Sequence, residues 1–238
     1  MREQRHQRGV TLITVMVVLL LSLLLAFWTA RSVHFHEIFT GNEADYQRAL
    51  EAAHAVLRDA EFDLRGERPD GMPCRSDDTK ACRPKTYDAA AGLAFFPEST
   101  EDLQAFERAL AGRTPACIAG ICTAEALPND FWKRDGGAKG LAAMKRVAAG
   151  YGQFTGATGG PRSSPLLRTD PGSERKAWYW VEVLPYDTTA AIQPGSAGRF
   201  TPDVDRPFVY RITSVAQGLK PGTQAVLQSI VVWRKVDS

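Results

Sequence analysis

The amino terminus contains an apolar run that constrains the rest of the chain. From Val10 to Ala30 the sequence holds 21 residues without a charge, a glycine or a proline. As a helix rising 1.5 Å per residue, the run is about 31 Å long, which matches the hydrocarbon thickness of a bilayer. Its few hydroxyl groups do not oppose insertion, because each can bond a carbonyl one turn back. The run therefore predicts a transmembrane helix over 10–30.

The flanks of this run indicate its orientation. The nine residues before it carry three arginines and one glutamate, and Arg31 closes it. Short basic segments stay on the cytoplasmic side, and aromatic residues such as Phe27 and Trp28 favour the membrane interface. We therefore expect the amino terminus in the cytoplasm and the bulk of the protein on the other side.

The charge balance excludes one class of partner. The chain has 29 Lys and Arg against 27 Asp and Glu, and without the first nine residues 26 of each remain. A neutral remainder has no basic footprint for nucleic acid or for an anionic membrane surface. We expect no nucleic-acid partner.

The junction between the basic segment and the apolar run carries a specific motif. A secretory signal peptide needs a shorter apolar core and a small-x-small cleavage site after it, whereas here the run is longer and its end reads Phe-Trp-Thr-Ala-Arg-Ser. Residues 8–13 instead read Arg-Gly-Val-Thr-Leu-Ile. This pattern resembles the type III signal of type IV prepilins and of type II secretion pseudopilins. An uncleaved single-pass anchor is the alternative.

The resemblance implies how the protein matures. In that family a membrane-embedded prepilin peptidase cuts after the glycine and methylates the new amino terminus. The implied cut lies between Gly9 and Val10, so that 1–9 is a leader peptide and Val10 becomes N-methylated. The resemblance also implies residence in a bacterial inner membrane with a periplasmic head.

Position 14 departs from the family pattern. The fifth mature residue is usually a glutamate that is thought to pair with the amino terminus of the subunit ahead, but here it is Thr14. A subunit with no neighbour ahead needs no such pair. The absent glutamate is a feature of PilX-type minor pilins and of K-type pseudopilins, which implies a place at or near a filament tip. A tolerated variant at this position is the alternative.

A second helix pattern follows the membrane segment. Over 31–65 apolar residues recur every three or four positions with charges between them, which predicts an amphipathic spine helix with one buried face. The expected buried residues are Tyr46, Ala49, Leu50, Ala53, Val56, Leu57, Ala60 and Leu64. The charged residues expected between them include Glu43, Asp45, Arg48, Glu51, Arg58 and Asp59. We predict a kink or a melted turn at Gly41-Asn42.

All four cysteines lie in the segment 66–177, which we interpret as an insertion. Export to an oxidising compartment makes disulfides the default, and neither spacing is that of a zinc site. Of the three possible connectivities we favour the two local pairs. These are Cys74 with Cys82 and Cys117 with Cys122. Their expected role is to hold an insertion that has little core of its own.

Three further elements are expected within the insertion. Ser99-Thr-Glu-Asp predicts a capped helix ending before Gly112, with Leu103, Phe106 and Leu110 on one face. A second helix is expected over 139–149. The five glycines of 150–160 lack the spacing of a dinucleotide-binding turn and predict a mobile surface loop.

The carboxy-terminal part, 178–238, is rich in β-branched and aromatic residues. Strands are predicted over 178–184, 208–216 and 225–236, with a hairpin connection at 218–223. Packed on the spine helix, they give an α+β, pilin-like fold with a C-terminal antiparallel sheet. The stretches 179–182, 210–213 and 226–229 are similar to the end of PilX-type minor pilins.

Little in the sequence favours catalysis. The four histidines lie in the leader and on the spine, so a nucleophile–histidine pair would have to form on the spine helix. The His34-x-His36 pair faces two directions on a helix. The acidic pairs Asp77-Asp78 and Asp203-x-Asp205 lack the spacing of a calcium loop and are expected to be solvated turns. We expect no enzyme activity, no cofactor and no metal.

The sequence therefore predicts a PilX-type minor pilin that primes assembly of a type IV pilus at or near its tip. The expected partners are other minor pilins, the major pilin, the prepilin peptidase and a tip adhesin. The alternatives are a K-like pseudopilin of type II secretion and a single-pass periplasmic binding protein that never enters a filament.

Overall fold

A computed structural model describes residues 7–74, 82–134, 136–159, 164–168, 172–186, 202–203 and 206–233, apart from the side chains of 7–10 and 34–38. The chain divides into two compact units, Met1–Asp45 and Tyr46–Ser238. The first unit is helical, and the second contains the sheet.

Helix α1 covers Gln7–Arg65. Its segment Thr11–Val33 is long and apolar enough to cross a membrane, and none of its most apolar window is buried by protein. The helix continues through Gly41-Asn42, so the predicted melted turn there is wrong. A glycine in a helix interior costs only about 1 kcal/mol, which neighbouring turns offset.

The carboxy-terminal half of α1 has the predicted buried face. The buried apolar residues on it are Ala49, Ala52, Ala53, Val56, Ala60 and Leu64. Most of them are alanines, which let the helix lie close to the sheet. Leu50 and Leu57 are half-buried, and Tyr46 remains 43% exposed, so the prediction for Tyr46 is wrong. Tyr46 lies one turn before the first residue of this stripe, Ala49.

Six strands form one sheet. They are β1 (Cys117–Ile118), β2 (Ile121–Cys122), β3 (Ala149–Gly150), β4 (Ala177–Pro185), β5 (Phe208–Gln217) and β6 (Gln224–Val232). The order is β1-β2-β4-β5-β6, with β3 also paired to β4. Every pair is antiparallel except β2 with β4, which is parallel. The antiparallel expectation is thus confirmed for the three long strands, while β6 ends at Val232 and 234–238 lie outside the described residues.

One face of the sheet packs on the spine. Tyr179 and Val181 of β4 belong to the same core as the alanines of α1. A hydrogen bond also joins β5 to the spine helix, because the Ser214 hydroxyl donates to the Ala53 carbonyl at 3.0 Å. Helix α2, Thr100–Leu110, adds Leu103, Phe106 and Leu110 to the same core. Ser99 caps α2 through a capping box with Asp102, which confirms the prediction.

The opposite face carries a second core, built largely by the insertion. Trp178 and Trp180 point to this side, and the ring of Phe131 meets that of Trp180 edge-on, with 4.8 Å between centroids. The indole N–H of Trp180 donates to the Met144 carbonyl at 3.0 Å. The expectation that the insertion has little core is therefore wrong, because β4 is buried on both faces.

Helix α3, Leu141–Val147, covers this second core together with a 3-10 turn at Phe131–Lys133. It is shorter than the predicted 139–149. Its carboxy-terminal end is replaced by β3, because Ala149 and Gly150 pair with Tyr179 and Trp178. The predicted helix therefore ends early, because Ala149 pairs in the sheet instead.

Candidate functional site: the membrane helix and the polar clusters of the head

The residues predicted to govern maturation and assembly lie in the first unit. The peptide bond between Gly9 and Val10 lies within α1, and the side chain of Val10 falls outside the described part. The Thr14 hydroxyl donates to the Thr11 carbonyl at 2.9 Å. This uncharged polar group is therefore satisfied within the helix.

Both disulfides join the local pairs that we favoured. Cys74 is bonded to Cys82, and Cys117 is bonded to Cys122. The second bond lies across the β1–β2 hairpin, where Cys117 and Cys122 are direct cross-strand partners. The first bond fixes the residue that immediately precedes Arg83.

Arg83 forms an ion pair with the spine that sequence reasoning missed. Its Nε donates to both carboxylate oxygens of Asp63 at 2.8 and 2.9 Å, and its terminal nitrogen lies 2.7 Å from Asp63 Oδ2. The side chains are only 7% and 1% exposed. Each would be costly to bury alone, so the pair requires both members.

Other groups complete the surroundings of this ion pair. The guanidinium carbon of Arg83 lies 3.8 Å from the ring centroid of Phe154 and 4.8 Å from that of Phe96. The Tyr179 hydroxyl donates to Asp63 Oδ2 at 2.6 Å. Burial, followed by the nearby Asp63 carboxylate, raises the pKa of Tyr179 well above its usual value. Tyr179 therefore keeps its proton and remains a donor.

Asp59 makes a second polar contact one turn earlier on α1. Both Asp59 and Asp45 were expected among the charges outside the buried face, but they are only 2% and 1% exposed, so both predictions are wrong. The Asp59 carboxylate accepts hydrogen bonds from the Thr155 hydroxyl and from the Gly152 N–H, the latter at 2.7 Å. The glycine-rich segment is thus attached to the spine, and the expectation of a mobile surface loop is wrong, since Thr155 is buried.

The environment of Asp59 shifts its titration. Burial raises the pKa of Asp59 to about 6, while the bonds from Thr155 and Gly152 oppose the shift. The folded protein therefore binds this proton up to about pH 6, whereas the unfolded chain releases it near 3.8. Because the folded state binds more protons in that window, the free energy of unfolding falls as pH rises from 4 to 6.

We expect the Asp59→Asn variant to lack this component of the pH dependence. Between pH 4 and 7 the wild type should lose about 2 to 3 kcal/mol of stability relative to the variant. Urea unfolding of both proteins across this range, followed by tryptophan fluorescence, measures the difference. Parallel stability curves would contradict this prediction, because they would show that folding leaves the pKa of Asp59 unchanged.

Glu182 is a buried charged group on the opposite face of the sheet. It is fully buried on β4, and Arg211 Nε lies 2.5 Å from its carboxylate oxygen. Arg211 also donates to the Asn129 amide oxygen at 3.0 Å, and the Leu127 N–H approaches Glu182 at 3.4 Å. This cluster connects the loop 126–129 of the insertion to the centre of the sheet.

These polar clusters attach distant segments of the chain to one another. Each carboxylate is paired with a cation or with N–H and O–H donors from a distant part of the chain. Within the described residues no group of three or more His, Cys, Asp and Glu is arranged to hold a metal. Asp77-Asp78 and Asp205 lie outside those residues. The sequence held one signal for these buried carboxylates. Asp59 and Asp63 are four residues apart, so they lie on the same face of the helix, and the buried Ala60 lies between them in sequence.

One comparison with known proteins identifies the family of the part of the chain that contains the sheet. Residues 107–232 match the family model described as Type IV pilus assembly protein PilX C-term. The match covers just over half of the chain and all six strands. The match begins at residue 107, whereas the sequence resemblance to PilX-type minor pilins rested on stretches between 179 and 229. No curated protein matches the chain, and no solved structure does.

Proposed function

The chain belongs to the PilX family of type IV pilus assembly proteins, and from this premise we propose that it is a minor pilin that primes pilus assembly and sits at or near the tip. Its role in the proposal is structural rather than catalytic. Its partners are other minor pilins, the major pilin and a tip adhesin, and the prepilin peptidase processes it. It resides in the inner membrane, with the head in the periplasm, before assembly.

The observation that carries the proposal is the composition of α1. A single helix supplies an apolar segment, Thr11–Val33, and a spine face that is buried against the head's sheet. A subunit with these two features can be stored in a membrane and later packed helix to helix in a filament. The family match favours the pilus over the type II secretion alternative, since its description names pilus assembly.

Tip placement is supported by the chemistry of position 14. A subunit inserted within the shaft would face the amino terminus of the subunit ahead, and Thr14 offers no carboxylate to neutralise it. An unpaired ammonium in an apolar bundle costs several kcal/mol. A subunit at the tip has no neighbour ahead and avoids this cost, so the protein should be present at low copy number.

Deletion and complementation test this proposal. We expect a deletion strain to lose its surface pili, and both the wild type and Thr14→Ser to restore them. Thr14→Glu should enter the shaft, because the added carboxylate can pair with the amine ahead. Immunoblots of sheared pili should therefore show more of the Thr14→Glu protein than of the other two. Normal piliation after deletion would contradict the priming role, and equal amounts of the three proteins would contradict the tip argument.

A further inference from the structure

Strand β6 forms the long edge of the sheet. It pairs with β5 through nine consecutive residue pairs without a bulge. No other strand in the described part of the chain pairs with its far side. At about 3.3 Å per residue its nine residues extend about 30 Å. The opposite edge, β1, has only two residues.

The register shows which backbone groups face outward. The Gly218 N–H donates to the Thr223 carbonyl at 2.9 Å, so this pair is hydrogen-bonded across the hairpin. In an antiparallel ladder such pairs alternate with pairs whose N–H and C=O groups point away. Counting along β6, the residues with outward backbone groups are Gln224, Val226, Gln228, Ile230 and Val232.

Within the described part of the chain, this edge lacks four common protections against strand pairing. Native proteins shield edges with charges, prolines, bulges or very short strands. From Gly222 to Trp233 the chain contains no charged residue and no proline. Gln228 is exposed, and Ile230 is 69% exposed beside the outward backbone. A regular, uncharged and apolar edge of this length is a template for another strand.

We propose that β6 binds an uncharged, extended segment of another pilus-assembly protein, which adds to the sheet as a further strand. The inference rests on the proposed function, which supplies a protein partner. The absence of charge on β6 determines the chemistry of that partner. Its side chains would lie beside Val226 and Ile230 on one face and Leu227 and Val231 on the other, where a charged group would lose part of its hydration beside uncharged side chains of β6.

The test removes one outward N–H while leaving the β5–β6 ladder intact. Gln228→Pro does this, because the lost N–H points away from β5. Gln228→Ala is the matched control, since it loses the same side chain, including its bond to Thr213, but keeps the N–H. A second pair places a charge at the edge with Ile230→Lys and uses Ile230→Thr as its control. Each variant replaces the chromosomal copy and is scored for surface pili beside a deletion strain.

We expect the Gln228→Pro and Ile230→Lys proteins to accumulate normally and to unfold at the wild-type urea concentration. The strains that carry them should nevertheless lack surface pili, as the deletion strain does. Gln228→Ala and Ile230→Thr should be piliated. If the deletion strain is bald but both edge variants are piliated, the strand-addition proposal fails and the priming role stands. If the deletion strain is piliated, the proposed function itself fails.

Two further measurements address the occupant and the fold. The full chain, expressed without other pilus proteins, should be monomeric in detergent by sedimentation. A dimer that Ile230→Lys disrupts would overturn the proposal in favour of a second copy of this chain. Should Gln228→Pro fail to accumulate, the Ile230 pair decides. Hydrogen exchange at the Ile230 amide should be slow in membranes that contain the pilus proteins and fast in the protein alone, and equal rates would contradict strand addition.

Discussion

Replacing Arg83 with methionine should lower the free energy of unfolding of the head by about 3 to 5 kcal/mol, the usual cost of leaving a buried charge without its partner. The charge left behind is the Asp63 carboxylate, of which only 1% is exposed. Methionine keeps much of the side-chain volume between Phe96 and Phe154, so the loss reports the charge rather than a cavity. Urea unfolding of the detergent-solubilised protein measures it.

The double variant Arg83→Met, Asp63→Asn separates the charge from the packing. An asparagine still accepts the bond from Tyr179 but carries no charge, so much of the lost stability should return. Arg113→Met is the matched control, because Arg113 is exposed and should change stability by less than about 0.5 kcal/mol. If Arg83→Met and Arg113→Met cost the same, the ion pair does not stabilise the head.

Replacing Gly9 with phenylalanine should abolish processing. The residue before the cut must be small, because the peptide approaches the peptidase active site closely, and glycine also lets the helix unwind there. Gly9→Ala is the control and should be processed at least in part. Intact-mass analysis of membrane-extracted protein should find wild-type chains beginning at N-methylated Val10 and Gly9→Phe chains beginning at Met1.

A wild-type chain that still begins at Met1 in a peptidase-positive cell would contradict the prepilin interpretation. Cleavage elsewhere, after the apolar run, would favour the secretory signal peptide that the length of 10–30 argued against. Both outcomes are read from the same mass spectrum.

The elements with a strong local signal were predictable from the sequence. The membrane helix follows from an uninterrupted apolar run, and α2 follows from its capping box at Ser99 and Asp102. The three long strands follow from β-branched and aromatic composition. The two local disulfides were favoured among the three possible connectivities, and the structure has both.

The errors at Asp59 and in the glycine-rich segment share one cause, which is tertiary contact between segments distant in sequence. Asp59 and Thr155 are 96 residues apart, and Asp63 and Tyr179 are 116 apart, so no local pattern shows that these carboxylates are buried. The second core was foreseeable, however. Strand β4 reads as an almost continuous apolar run, Trp178–Val183, which is typical of a strand buried on both faces.

Quantitative mass spectrometry of sheared pili tests the central claim, that this chain is a minor pilin at the tip, most directly. The measurement compares its peptides with those of the major pilin in the same filaments. We predict that the protein is present in traces and that its first peptide begins at N-methylated Val10. Abundance rivalling the major pilin would contradict tip placement, and complete absence from filaments of a piliated strain would contradict its identity as a pilin subunit.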